Sequence, residues 1–259
     1  MEKNKSVKRI VLIGAGNVAT HLAKALYVAG YELVQVYSRS LQKAELLATQ
    51  VGAQPCCDLL ELQKADLYIY SVSDSALLEV IEQVQQFDGI HVHTTGSVDM
   101  AVFESKFRCF GVLYPLQTFS KDKYIDFKTV PLFLEASSNQ VFTDLQILAL
   151  SVSDICNLAT SEQRIKLHIA AVFACNFSNY FYTIANKLLE NEGISFDVLK
   201  PLINETSQKI AHLPPYDAQT GPARRNDQVT IEKHLQLLTD PNLKELYSLL
   251  SERIVEMYK

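Results

Sequence analysis

The chain opens on a strand that stops at a glycine and passes at once into a helix, and it repeats that alternation through its first half. "RIVLIG" (9–14) is a short β-branched run ending in glycine, the pattern of a buried strand. "NVATHLAKALYVA" (17–29) then spaces Val18, Leu22, Ala25, Leu26 and Ala29 as one face of a helix. Strand-like runs follow at 32–38, 65–72, 90–95, 108–115, 129–136 and 154–160, with helical patterns at 41–52, 75–87 and 139–151. Such alternation requires crossover connections, and right-handed crossovers give a doubly wound, mainly parallel sheet covered on both faces. The expected class is α/β.

After residue 160 the texture changes. "SEQRIKLHIAAVFACNFSNYFYTIANKLLENEG" (161–193) reads as one long amphipathic helix beginning with a serine cap and ending at Gly193. Further helical patterns cover 196–213, 229–238 and 241–258. The expectation is a nucleotide-type α/β domain over residues 1–160 and an all-helical domain over 161–259.

Charge and cysteines limit the partners. A formal charge of −5 disfavours nucleic acid, whose phosphates call for an excess of clustered Lys and Arg. The five cysteines form no C-x-x-C pair and sit near no histidine at zinc-ligand spacing, so no metal site is expected. Scattered cysteines suit a reducing cytoplasm. The opening "MEKNKSVKR" lacks the apolar middle of a signal peptide, and no apolar run reaches membrane-spanning length. The expectation is a cytoplasmic protein without membrane contact.

"GAGNVA" (14–19) lies between the first strand and the first helix. Gly14 permits the tight turn, Gly16 lets backbone approach a pyrophosphate, and Ala19 keeps the helix close to the sheet. The anion would rest on the free amides of Asn17 and Val18 and on the positive helix end. A site for NAD usually carries an acid at the end of the second strand, but here that strand ends "VYSRS". Ser38, Arg39 and Ser40 can instead bond a 2′-phosphate, Arg39 bidentately, so NADP (NADPH) is the expected cofactor. Ser71, Val72 and Ser73 end the next long strand, and "HTTGS" (93–97) ends another with Thr95 and Gly96, all bordering the same crevice. Asp74 is expected to cap the following helix. His93 is open to two roles, a site residue or a satisfied semi-buried histidine.

"GAGNVATHLAKAL", "HTTGS", "YPLQTF" (114–119), "KLHIAAVFACNF" and "TGPARRND" (220–227) occur in an order that resembles Rossmann-like proteins carrying a DUF2520 domain. More distantly the layout is similar to pyrroline-5-carboxylate reductase and the β-hydroxyacid dehydrogenases. The resemblance implies an NADP-dependent oxidoreductase in which a small-molecule substrate reacts between a Rossmann-like domain and a helical domain. Three positions depart from the family pattern: Thr95 stands for Ser, Tyr114 for a frequent His, and Asn226 for Gly. Asn tolerates the left-handed backbone that the last of these requires.

On the long helix, His168 and Asn176 are eight residues apart, about 80° around a regular axis. Burying them among Ala, Val and Phe is costly without partners. Either they face a cleft, with His168 as general acid and Asn176 holding substrate or nicotinamide amide, or they bond across an interface. Tyr114 is the second candidate acid. In the "TGPARRND" loop, Thr220, Arg225 and Asp227 are candidates for substrate binding, with Arg225 pairing a carboxylate and Asp227 orienting it. The alternative is an Arg–Asp pair that fastens the loop. The whole reads as an oxidoreductase passing hydride to or from a small carbonyl or imine, and a non-catalytic NADP(H)-binding sensor is the competing reading. The aromatic run "FSNYFYTIANKLL" suggests a homodimer through the helical domain.

Overall fold

The computed structural model describes residues 7–259, so the polar opening at 1–6 lies outside the described residues. β1 (Arg9–Ile13) has Ile10 through Ile13 wholly buried, as a strand covered on both faces must. It pairs in parallel with β2 (Glu32–Tyr37) on one side and β4 (Leu67–Tyr70) on the other. β3 (Gln54–Cys56) extends the edge beyond β2, and β5 (Ile90–His93) and β6 (Cys109–Pro115) continue beyond β4. β7 (Leu132–Ala136) reverses the run, lying antiparallel to β6, and β8 (Cys156–Leu158) pairs parallel with β7. The spatial order is β3-β2-β1-β4-β5-β6-β7-β8.

The order changes direction between β1 and β4, which opens a crevice at the carboxyl ends of those strands. α1 (Asn17–Val28), α2 (Leu41–Val51) and α4 (Asn139–Val152) supply Leu22, Leu26, Leu47, Leu145 and Leu148 to the core on one face. α3 (Asp74–Gln83) packs Leu77, Val80 and Ile81 with Phe103 and Phe107 on the other. Each such side chain, taken fully out of water, contributes roughly 1.5–3 kcal/mol. The sheet is therefore α/β, Rossmann-like and mainly parallel.

β3 carries no apolar alternation and escapes a sequence reading: "QPC" is three residues long and contains a proline, tolerable because the strand lies at an edge. The long helix differs from expectation in two ways. Its cap is Thr160, whose hydroxyl accepts from the Gln163 amide while the Gln163 side chain accepts from Thr160 N, so Ser161 is the first helical residue. It is also not uniformly α-helical. α5 (Ser161–Ala171) runs into a π-helical stretch (Val172–Phe177) before resuming as α6 (Ser178–Glu190).

The chain divides into two compact units that part between Tyr180 and Phe181, within α6, twenty residues beyond the boundary expected at 160. The first turns of the long helix thus belong with the sheet. The second unit, Phe181–Lys259, is helical: the rest of α6, then α7 (Lys200–Lys209), the short α8 (Pro215–Ala218), α9 (Gln228–Leu237) and α10 (Pro241–Met257). No helix among the described residues is long and apolar enough to cross a membrane.

Candidate functional site

The glycine turn is built for close approach. Gly14 has φ +126°, and a Cβ there would stand 2.1 Å from the Ser71 carbonyl oxygen, so no side chain fits. Its amide donates to the Tyr37 carbonyl at 2.8 Å, tying the turn to the end of β2. Gly16 precedes α1, which has no side-chain cap, and a Cβ at Gly16 would meet nothing within 4 Å. The first amides of α1 therefore face open space, the arrangement a pyrophosphate requires.

That turn forms one end of a cavity of about 630 Å³ contained within the first unit. The cavity brings together Gly16, Asn17, Val18, Ser71, Val72, Ser73, Thr95 and Gly96 from the strand ends with Tyr114, His168 and Asn176. Its size suits a cofactor or a small substrate. Ser38, Arg39 and Ser40 are not part of its wall. They lie at the end of β2, where the Ser38 hydroxyl accepts from Ser40 N at 3.3 Å and the Arg39 side chain is exposed.

At the other end, Tyr114 of β6 and His168 of α5 meet, the phenol oxygen 3.2 Å from His168 Nδ1. Burial pushes the Tyr114 phenol up from its ordinary value, Arg164 pulls it part of the way back, and Asp74 adds to the rise. His168 can stand there because residue 96 is glycine: a Cβ on Gly96 would lie 2.7–2.8 Å from the imidazole and 2.9 Å from the His168 Cβ. The "HTTGS" glycine is thus spent on a side chain of the long helix, a reason sequence alone does not supply.

Asn176 reaches the same cavity through the π-helical stretch. Eight regular residues would leave it about 80° from His168, but a wide turn absorbs roughly one residue's rotation of about 100°. The two side chains are left on one face, and both line the cavity.

Several polar groups here are already engaged. Asn17 Nδ2 donates to the Phe119 carbonyl at 2.9 Å, and His21 Nε2 lies 2.8 Å from the Ser120 carbonyl, so the segment after β6 is drawn across the start of α1. Thr95 Oγ accepts from Val98 N at 3.1 Å, and the buried Thr94 hydroxyl donates to Ser71 Oγ at 3.1 Å. Asp74 is not the helix cap expected of it. Ser73 occupies that position, and Asp74 accepts a hydrogen bond from the Ser97 hydroxyl at the cavity wall.

His93 resolves to the structural role. It is fully buried, stacks on Phe103, and accepts from Thr95 N at 3.3 Å through Nδ1. Its Nε2 has no partner in good geometry, although the nearby Asp99 carbonyl offsets a little of the burial that pulls its pKa down to about 3. His91 is likewise buried, bonded to Tyr70 at 3.0 Å, and pulled down to about 3 by burial.

In the second unit, the "TGPARRND" loop forms a tight 3-10 turn over Ala223–Arg225, and Asn226 takes the left-handed conformation at φ 52°. Among the described residues, Asp227 makes no ion pair with Arg225. Its carboxylate caps α9, accepting from Thr230 N at 3.1 Å and from the Thr230 hydroxyl at 2.7 Å, and these bonds hold it below the usual carboxylate range. Arg224, which carried no assignment, lies 3.9 Å above the Tyr258 ring. Arg225 and Thr220 are exposed, and among the described residues Arg225 makes no ion pair.

Comparison with known proteins agrees with this layout. Residues 130–254 match the model of a domain of unknown function, DUF2520, and residues 1–103 match that of shikimate/quinate 5-dehydrogenase. A solved structure from Bacteroides fragilis, described as a candidate NADP oxidoreductase, is 46% identical over 98% of this chain and 100% of its own, with a TM-score of 0.91. The chain belongs to the same family as that Bacteroides protein, and its residues 130–254 are the part that matches DUF2520. Two more distant structures share this fold. They are a pyrroline-5-carboxylate reductase from Coxiella burnetii (16% identity, 98% and 99% covered, TM-score 0.57) and a reductive aminase from Aspergillus terreus solved with NADPH and ethyl levulinate (17%, 96% and 94%, 0.71). No curated protein matches the sequence.

Sequence reasoning missed Glu135 and Arg164, which hold the start of α5, and the segment 116–119 as a cavity wall. An arginine four residues before His168 was the available signal, since i and i+4 share a helix face.

Proposed function

We propose that this protein is an NADPH-dependent oxidoreductase that reduces a small ketone or imine. The observation that carries this reading is a single cavity with an uncapped glycine turn at one end and the Tyr114–His168 pair at the other. NADPH, when bound, supplies the hydride. The cradle fits it: Gly14 leaves no room for a Cβ, and the α1 amides are free for the pyrophosphate. Arg39, with Ser38 and Ser40, would hold the 2′-phosphate.

His168 protonates the oxygen or nitrogen that becomes anionic as the carbon is reduced, with Tyr114 bonded to the opposite ring nitrogen. Asn176 orients the substrate or the nicotinamide amide. Arg225, exposed and without an ion pair among the described residues, is the candidate of the Thr220–Arg225–Asp227 group for an anionic substrate group, while Asp227 shapes its loop. Support for the cofactor comes from the Bacteroides relative's description and from the NADPH bound in the Aspergillus enzyme. We also propose a cytoplasmic homodimer, because the helical segments expose Phe173, Leu202 and Leu237 at 62–71%. Sedimentation at micromolar concentration tests that reading, and a monomer would reject it.

The deciding experiment is a fluorescence titration with NADPH and NADH side by side, followed by turnover on a panel of small ketones, 2-keto acids and cyclic imines. NADPH should bind at least tenfold more tightly than NADH, and Arg39→Ala should remove most of that preference, as loss of a charged hydrogen bond implies. His168→Ala should bind NADPH normally and lose turnover. Binding of neither nucleotide would sink the proposal.

A further inference from the structure

The first turn of α5 buries a charge that the proposed chemistry does not use. Arg164 is 1% exposed, and its guanidinium fork is divided between two parts of the sheet. Nη1 donates to Glu135 Oε2 of β7 at 2.5 Å, while Nη2 donates to the Val98 carbonyl in the loop after β5 and to Ser161 Oγ at 3.2 Å. Glu135 also accepts from Ser161 N at 2.9 Å and from the Ser161 hydroxyl at 2.7 Å, and Ser161 Oγ accepts from Met100 N at 3.1 Å. The cluster joins one helical turn to a strand and to the loop that carries Gly96.

Stability alone is a poor reason for it. Replacing a buried ion pair by apolar side chains of similar volume is often neutral or stabilising. Position is a better one. His168 follows Arg164 by four residues on the same helix face, and its ring touches Gly96, two residues before Val98. Arg164 therefore grips both sides of the His168–Gly96 contact. The same cation also reaches Tyr114, acting against the effect of burial on the phenol.

We propose that Arg164 is a positioning residue: by linking Glu135 to Val98 it holds His168 over Gly96 within reach of Tyr114, and its charge compensates the one left on Tyr114 after proton release. The second half rests on the reductase reading; the first does not. In that reading, the carbonyl or imine π pair moves to oxygen or nitrogen as hydride forms the new C–H bond. His168 gives its Nε2 proton to that atom, and Nδ1 takes the phenolic proton. The tyrosinate formed lies near the guanidinium until solvent returns the proton.

The test is ¹⁵N NMR of histidine-labelled full-length protein, with the His168 ring assigned from its loss in His168→Asn. Tyr114→Phe defines the ring signals when the bond to Tyr114 is absent. Because Arg164→Met alone strands a buried carboxylate, the informative variant is Arg164→Met with Glu135→Leu, and Arg164→Lys keeps the charge without the fork. Both should melt cooperatively and bind NADPH within about threefold of the parent, with His168 signals moved to those of Tyr114→Phe. On any ketone or imine that the parent reduces, kcat should fall about 100-fold, the cost of roughly 1 Å of misplacement, with KM changed less than about threefold. Wild-type His168 signals in either variant would overturn the proposal. A parent that reduces nothing would refute the reductase reading, and the ring signals would still decide the role of Arg164.

Discussion

Acid should destabilise this protein steeply between pH 7 and pH 5, and two residues of one strand should account for it. His91 and His93 are fully buried, and burial holds both at about 3, against roughly 6.5 in the unfolded chain. Below pH 6.5 the unfolded state binds protons that the folded state refuses, so stability falls as pH falls. At pH 5 each ring costs about 2 kcal/mol relative to its neutral reference, against under about 0.2 kcal/mol at pH 7. The pair thus removes about 4 kcal/mol, a large share of an ordinary domain's 5–15 kcal/mol. The figure depends only on both rings staying neutral to pH 5, not on where below that they titrate. Urea unfolding followed by circular dichroism at pH 7, 6 and 5 measures it. His91→Asn and His93→Asn should each remove about half of the slope between pH 6 and 5, whatever they do to stability at pH 7. A double variant that keeps the parent's slope would refute the assignment.

Three substitutions test the turns and contacts. Gly14→Ala combines φ +126° with a Cβ 2.1 Å from the Ser71 carbonyl, so it should cost at least about 2 kcal/mol in thermal unfolding and weaken NADPH binding. Gly96→Ala forces the His168 ring to move, because the new carbon would sit 2.7 Å from Nδ1; turnover should drop more than about tenfold while the melting temperature shifts by only a few degrees. At Asn226, φ 52° predicts that Gly is tolerated whereas Val costs roughly 1–2 kcal/mol, measurable by denaturant midpoints.

Much of the first unit is legible in sequence because its signals are local. β-branched runs, helical spacing and the glycine turn each act within about a dozen residues, and they place β1, β2, α1 and α2 to within two residues. β3 is not legible, since edge pairing in a three-residue strand leaves no periodicity. The reversal at β7 is set by the strand it joins, not by its own composition. Of the site, the residue types at strand ends were readable, and the reasons for them were not. Gly96 serves His168 from 72 positions away, and Asp74 answers Ser97 rather than its own helix. The loop at 220–227 read as a charged cluster because Arg and Asp are neighbours in sequence, whereas Asp227 caps α9 and Arg224 stacks on Tyr258.

The π-helical stretch makes the winding of one helix a functional variable. Rewinding Val172–Phe177 as regular α-helix with every residue kept would put eight regular steps between His168 and Asn176 and turn them about 80° apart. Deleting one residue between Val172 and Cys175 would leave seven regular steps, about 20° apart, so the two side chains would keep one face without the wide turn. The wide turn thus carries one surplus residue past His168, and the pocket would lose Asn176 only if the turn closed with that residue still in place.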